Sequence, residues 1–218
     1  MAWSLIANAA KVNTTDPVDT TGANFIVCTV ADDGVLAVTD NKSNTWIKLT
    51  EQGAPNTAHF YCIDPIVGAG HTFSTAHAYG AIAMQAFSNT GEISFDQENG
   101  ATTAGATSLA TGSVTPGVDD ELIVTGIEWG GTMSLASINS SFNKTDEVDA
   151  STGVNYGVAM AYLIQTSASA VNPTWSWTTS SAANARIATF KAVQPVVGDI
   201  VVPSNSTSIG RSYKVVGY

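Results

Sequence analysis

The sequence predicts an all-β chain: a single antiparallel two-sheet sandwich over residues 1–192, followed by an extended C-terminal arm over residues 193–218. Three observations carry this. Val154, Tyr156, Val158, Met160, Tyr162 and Ile164 occupy every second position, with mostly small residues between them. A period of two aims one face of a strand at a core, whereas a helix would scatter those six side chains around its circumference. Apolar runs recur at spacings of about 10 to 15 residues with turn residues between most of them, the pattern of a two-sheet sandwich. Charged residues are only 12% of the chain, about half the usual share of roughly 25%. The surface is left to Ser, Thr, Asn and Gly, which suit pleated strands and turns.

Taken in order, Trp3 to Ala10 reads as a first strand. Asn24 to Ala31 reads as a central one, apolar on both faces, and Asp32-Asp33-Gly34 turns it. Asp40 to Asn44 is a turn opening into a strand at Thr45 to Thr50. Ala58 to Ile63, His71 to Ser74 and Tyr79 to Phe87 follow. Glu92 to Thr107, polar and rich in Gly and Ala, reads as a long loop with a brief extended piece at Ile93 to Phe95. Ser108 to Thr115 and Glu121 to Trp129 are strands, and Met133 to Ile138 and Phe142 to Thr145 are short edge strands. The central strand then runs to Gln165; its small-residue face suits close contact with something flat, such as a neighbouring chain. Pro173 to Thr178 and Ala185 to Ala192 complete about twelve strands. No segment shows a strong 3.6 period, a heptad or a tandem repeat. Trp46 and Trp129 are expected to fill the sandwich interior.

At 218 residues the chain has room for one large all-β domain. Eight basic and 18 acidic residues give a net charge of −10. Such a surface repels phosphate backbones and anionic headgroups, so nucleic acid and membrane are not expected partners. No apolar run approaches the length of a spanning helix. The stretch from Met1 to Ala10 lacks the basic n-region of a secretory signal, and none is expected. Cys28 and Cys62 lie in apolar runs and read as buried free thiols. A disulfide is the alternative, since sequence does not give the Cα separation it needs.

No constellation points to catalysis. His59, His71 and His77 form no His-x-x-x-His pair, and no Ser stands in a Gly-x-Ser-x-Gly context. Glu92, Asp96 and Glu98 are close in sequence but lack an apolar setting that would raise one carboxyl pKa for acid catalysis. Asp119-Asp120-Glu121 and Asp146, Glu147 and Asp149 lack the alternating ladder of a calcium loop. The expectation is a non-enzyme with no cofactor and no metal. Trp175 and Trp177 stand two apart on one strand face and are candidate glycan-stacking residues, with core packing the competing reading.

Beyond Ala192, Pro195, Pro203 and the run Ser204-Asn205-Ser206-Thr207-Ser208 give the chain a linker-like character. Ile200, Val201 and Val202, then Tyr213, Val215 and Val216, are apolar pieces that a purely disordered tail would not keep. They are the candidate contacts of an assembly arm.

Several segments together resemble a known family. They are Asn44-Thr45-Trp46 with Leu49, Phe60-Tyr61-Cys62 with Val67 to Phe73, Gly105 to Ser113, Asp120 to Val124, and Ala185 to Lys191. The chain resembles jelly-roll-like β-sandwich domains of bacteriophage virion proteins and bacterial surface or secreted proteins, over residues from about 24 to 192. Where the family pattern has a Gly before Asn44-Thr45, this chain has Ser43. The resemblance implies a jelly-roll-like sandwich in a virion structural protein: a capsid decoration, head fibre or tail appendage. It implies a homo-oligomer that contacts other virion or capsid proteins. The alternative it leaves open is a glycan-binding module or adhesin on a phage or bacterial surface. It carries no catalytic residue across.

Overall fold

The computed structural model describes residues 3–53, 56–130, 137–149 and 156–193. Among them are thirteen strands and no helix. The strands are β1 (Ser4–Val12), β2 (Phe25–Asp32), β3 (Val38–Asp40), β4 (Ile47–Lys48), β5 (Asn56–Ile63), β6 (Phe73–Thr75) and β7 (Ala81–Ser88). They continue with β8 (Glu92–Ala110), β9 (Glu121–Gly130), β10 (Ser137–Ile138), β11 (Asn143–Val148), β12 (Tyr156–Gln165) and β13 (Thr174–Val193). Every pairing between them is antiparallel.

Two sheets face each other. The first has the order β1-β7-β2-β5-β4; in the second, β8 pairs β13 and the order continues β13-β9-β12-β11. The chain finishes the first sheet before it starts the second, so successive main strands stay in one sheet. Between the sheets, Phe25, Val27, Tyr61 and Phe87 of the first meet Leu122, Val124, Val158, Met160 and Phe190 of the second.

The two sheets are the same arrangement made twice. Replacing β1, β2, β4, β5 and β7 by β8, β9, β11, β12 and β13 turns one strand order into the other. The registers agree: Phe25 pairs Phe87 and Ile63 in the first sheet, and Leu122 pairs Phe190 and Ile164 in the second. Even a bulge repeats. Ile6 is skipped where Leu5 and Ala7 pair Phe87 and Ala86, and Asp96 is skipped where Phe95 and Gln97 pair Phe190 and Thr189. The packing of the inner strands is reciprocal as well, with β7 against β12 and β5 against β13, while β1 packs on β11. An approximate internal two-fold axis therefore runs between β2 and β9, and a tandem repeat with almost no repeated sequence lies beneath it.

Each sheet also buries its outer face. Over the first lie β3 and β6, placing Phe73, Val38 and the half-buried Trp46 on Ile26, Cys28, Phe60 and Met84. Over the second lie β10 and the N-terminal part of β13, placing Trp175 and Trp177 on Ile123, Ile127, Ala159 and Ala161. With both faces covered, β2 is buried along its whole length and β9 nearly so. This is the reason these strands are continuous apolar runs rather than alternating ones.

Several expectations change. Glu92 to Thr107 is not a loop but most of β8; Ser108 to Ala110 are its last residues. The two strands expected after residue 172 are one strand, β13, bent where its register against β8 shifts between Ser176 and Ala183. The strand expected at Thr45 to Thr50 shrinks to Ile47–Lys48. Trp46 and Trp129 pack on the outer faces, not between the sheets. Ser43 takes φ +63°, the left-handed turn conformation a Gly would favour. Cys28 and Cys62 are buried free thiols. Met133 to Ala136 lie outside the described residues. So does everything after Val193, which itself closes β13.

The flat partner of β12 belongs to the chain itself. A Cβ on Gly157 would stand 2.2 Å from Trp129 Cε2, so only glycine lets that ring lie across the strand. Gly157→Val is expected to lower stability by roughly 1–3 kcal/mol through overpacking, read as a lower urea midpoint. Met160 is fully buried between the sheets. Met160→Asp is expected to cost more than about 4 kcal/mol, the range of an unpaired buried charge. An unchanged midpoint in the second variant would reverse the assignment of the inward face.

Candidate functional site

The two halves differ most at one place. Glu128 of β9 and Asn184 and Arg186 of β13 face inward, and all three are buried. The register puts Ala31, Ala81 and Ala83 at the equivalent positions of the first half, where they belong to the apolar core. Packing alone therefore accepts alanine here. Burying a carboxyl and a guanidinium instead carries a penalty of several kcal/mol per ion unless partners offset it.

The partners come from four segments. Arg186 Nη2 donates to Glu98 Oε2 at 2.6 Å, and Nη1 donates to Gln52 Oε1 at 3.0 Å. Glu98, on β8, also accepts from the Thr50 backbone N–H at 3.2 Å and from Thr50 Oγ1 at 2.6 Å. Gly100 makes room for the guanidinium, since a Cβ there would lie 2.5 Å from Arg186 Nη1. Its equivalent in the first half is Ala10, paired with Ala83. Asn184 Nδ2 donates to Glu128 Oε1. Across the axis, Thr29 fits against Gly126, where a Cβ would meet Thr29 Oγ1 at 2.3 Å, and Thr29 Oγ1 is hydrogen-bonded to His59 Nδ1 at 2.9 Å.

Electrostatics follow from this burial. Desolvation pushes the Glu128 carboxyl up to about 8, opposed by the Asn184 hydrogen bond. Desolvation, joined by the charge of Arg186, pushes His59 down to about 3. Desolvation also lowers Arg186, with Glu98 acting the other way. Glu128 Oε2, His59 Nε2 and Arg186 Nε have no hydrogen-bond partner among the described residues. Two clefts of about 250 and 270 Å³ open beside this seam, one at Thr50, Gln52, Glu98 and Arg186, the other at Gly53, Thr102, Ala182 and Asn184.

The residues singled out from sequence are placed elsewhere or used structurally. Trp175 and Trp177 are 0% and 5% exposed. Trp175 Nε1 donates to Thr125 Oγ1 at 3.0 Å beneath the strand cover, so neither ring offers a face to a sugar. The arm residues Ile200, Val201, Val202, Tyr213, Val215 and Val216 lie outside the described residues. Asp96 binds Lys191 at 2.9 Å and the Gly117 N–H, and Asp119 holds the Ala168 N–H. Glu121 turns back onto the Val118 N–H. His77 Nδ1 meets the buried Asp32 at 2.9 Å, stapling the β6–β7 connection to the end of β2. His71 meets Asp40 at 3.4 Å and Thr20 at 2.9 Å under the outer cover of the first sheet. Among the described residues no three His, Cys, Asp or Glu side chains converge as metal ligands. Compared with protein-family models, with curated proteins and with solved structures, the chain finds no match.

Sequence reasoning missed the seam because its members are scattered between positions 29 and 186. The available signal was a lone charge inside an apolar strand, as in Ile127-Glu128-Trp129 and Ala185-Arg186-Ile187.

The two buried groups predict the pH profile. Glu128 has a folded pKa of about 8, above the reference 4.5, so the folded state holds its proton longer. Its contribution is present at low pH and lost as pH rises toward 8. His59 has a folded pKa of about 3, below the reference 6.5, so its contribution is present above 6.5 and lost as pH falls toward 3. Between 4.5 and 6.5 the two slopes oppose; from 6.5 to 8 Glu128 acts alone, at up to about 1.4 kcal/mol per pH unit. Urea unfolding from pH 6.5 to 8 should show falling stability in the natural chain and a flatter curve in Glu128→Gln. Equal slopes would remove Glu128 from the account.

Proposed function

We propose that the chain is a non-enzymatic structural protein of a bacteriophage virion. It would be a capsid decoration, head fibre or tail appendage, assembling with copies of itself and with other virion proteins. The observation that carries the reading is the outer edge of β8. Exposed sheet edges are usually blunted by short strands, bulges, charges or Pro. β4 has two residues, β1 has its bulge at Ile6 and ends near Lys11, and β11 carries Lys144, Asp146 and Glu147. The start of β8 carries Glu92, Asp96 and Glu98. From Asn99 to Ala110 β8 has no charged residue and no Pro, and among the described residues it pairs on one side only, with β13. An edge of that kind accepts an added strand.

The arm after Val193 is the proposed strand donor. Val193 pairs Glu92, so the arm departs beside the start of the open strand. About 25 residues reach on the order of 80 Å when extended, enough for a neighbouring copy. Its Val, Ile and Tyr side chains would contribute roughly 1.5–3 kcal/mol each on burial. Ordering costs roughly 1–2 kcal/mol per residue, so only a well-fitted arm gains net affinity.

Truncation after Val193 tests this by sedimentation velocity and thermal melting. The truncated chain should melt within about 2–4 °C of the full chain while its self-association is lost. Thr107→Lys, which charges the open edge, should weaken association in the full chain. A truncated chain that unfolds, or that still associates, overturns the arm.

A further inference from the structure

We propose that the seam opening between β8 and the Thr50–Gly53 segment is a binding site for a neutral, hydroxyl-rich ligand, the saccharide units of a glycan. This goes beyond the assembly reading and does not depend on it. Four observations support it. The inward polar residues Asn184 and Arg186 replace alanines that serve the same positions in the other half, so the sandwich does not need them to close. Their side chains line two clefts of about 250 and 270 Å³, each just below the roughly 300–1,000 Å³ of small-ligand sites.

The Arg186 side chain is 3% exposed, yet its Nε has no partner among the described residues. The guanidinium itself is held at the cleft wall by Glu98 and Gln52. Finally, the cleft walls hold donors and acceptors together. Thr102 and Thr103 offer hydroxyls, which both donate and accept, and the Gln52 amide offers its N–H groups, since its Oε1 already accepts from Arg186.

The charge balance selects the ligand class. Arg186 is already neutralised by Glu98 at 2.6 Å, and the chain as a whole carries −10, so an anion gains little here. Glu98 is saturated by Arg186 and Thr50, which leaves no carboxylate for a cation. Among the described residues no aromatic ring lines either cleft, so recognition rests on hydrogen bonds, which reject analogues lacking the matching hydroxyl. Sugars fit this chemistry: each ring presents several groups that both donate and accept.

Saturation-transfer NMR on the full chain tests the site, using neutral hexoses, N-acetylhexosamines and their disaccharides as probes. At least one should bind with a Kd of about 1 mM or tighter. Thr102→Trp places a large side chain on an exposed cleft residue and should weaken that sugar by about tenfold or more. Ile66→Trp, at a position 61% exposed after β5 and outside both cleft linings, should leave binding unchanged. Thermal melting of both variants reports that the fold is intact. No binding from any neutral sugar, preference for an acidic sugar, or equal loss in both variants would each overturn the proposal.

Discussion

One ring contact, made twice, joins the halves. Phe87 of the first sheet meets Tyr162 of the second edge-on, with centroids 5.3 Å apart at 73°. Phe190 meets Tyr61 in the same way, at 5.1 Å and 64°. The register makes Phe87 equivalent to Phe190 and Tyr61 equivalent to Tyr162. Such pairs contribute about 0.5–1.5 kcal/mol each beyond the area they bury. Their larger effect is on geometry, because they fix how one sheet lies on the other. Once that is set, β1 must face β11 and β8 must face the end of β4. The bond from Asn8 to Asp146 and the bond from Thr50 to Glu98 then close the two sides with equivalent residues, Asn8 and Glu98.

The axis also divides the interior lengthwise. β2 and β9 are equivalent strands, so their starts, Phe25 and Leu122, share one end and their finishes, Ala31 and Glu128, share the other. Aromatic rings gather at the first end, where Trp3, Phe25, Phe87, Phe95 and Phe190 touch. Toward the second end the second half carries Glu128, Asn184 and Arg186. Aromatic rings and polar groups are thus separated along the length of the strands, and the polar end ties the halves through Thr50, Glu98 and Arg186.

Much of the fold was legible because a two-sided strand writes itself plainly. Asn24 to Ala31 and Glu121 to Trp129 are apolar on both faces in sequence and buried on both in space. The period of two from Tyr156 to Ile164 sorted the inward face correctly, and the small residues opposite it signalled a flat neighbour. Its identity was not legible, because Trp129 pairs with Gly157 only through β9–β12 register. β8 was illegible for a different reason. It is an edge strand half exposed to solvent, so Gly, Ala and Thr suffice and no hydrophobic period marks it. The repeat left little trace at the level of residue identity: Phe87 matches Phe190 and Tyr61 matches Tyr162, but Phe25 answers to Leu122, Thr29 to Gly126 and His59 to Met160. What was preserved is strand order and register, which appear only once strands are paired.

The length of β8 explains why an open edge and a cleft occur on the same strand. Nineteen residues extend about 63 Å at ~3.3 Å per residue, whereas β9 beside β13 has ten. The surplus of the β8–β13 ribbon must go somewhere, and the register shifts between Ser176 and Ala183 let it fold over Trp129. The first half meets the same need by breaking the ribbon. There β6 and β7 are separate strands, and the Asp32–His77 pair clamps the break between them, with Gly80 pressed against Asp32. Keeping the ribbon continuous in the second half carries β8 past the inward-facing Arg186 and Asn184, whose side chains line the clefts. The same continuity leaves the strand's outer backbone unpaired among the described residues. Inward side chains and outward backbone point in different directions, so one strand can serve a ligand and a neighbouring chain without the two competing for the same atoms.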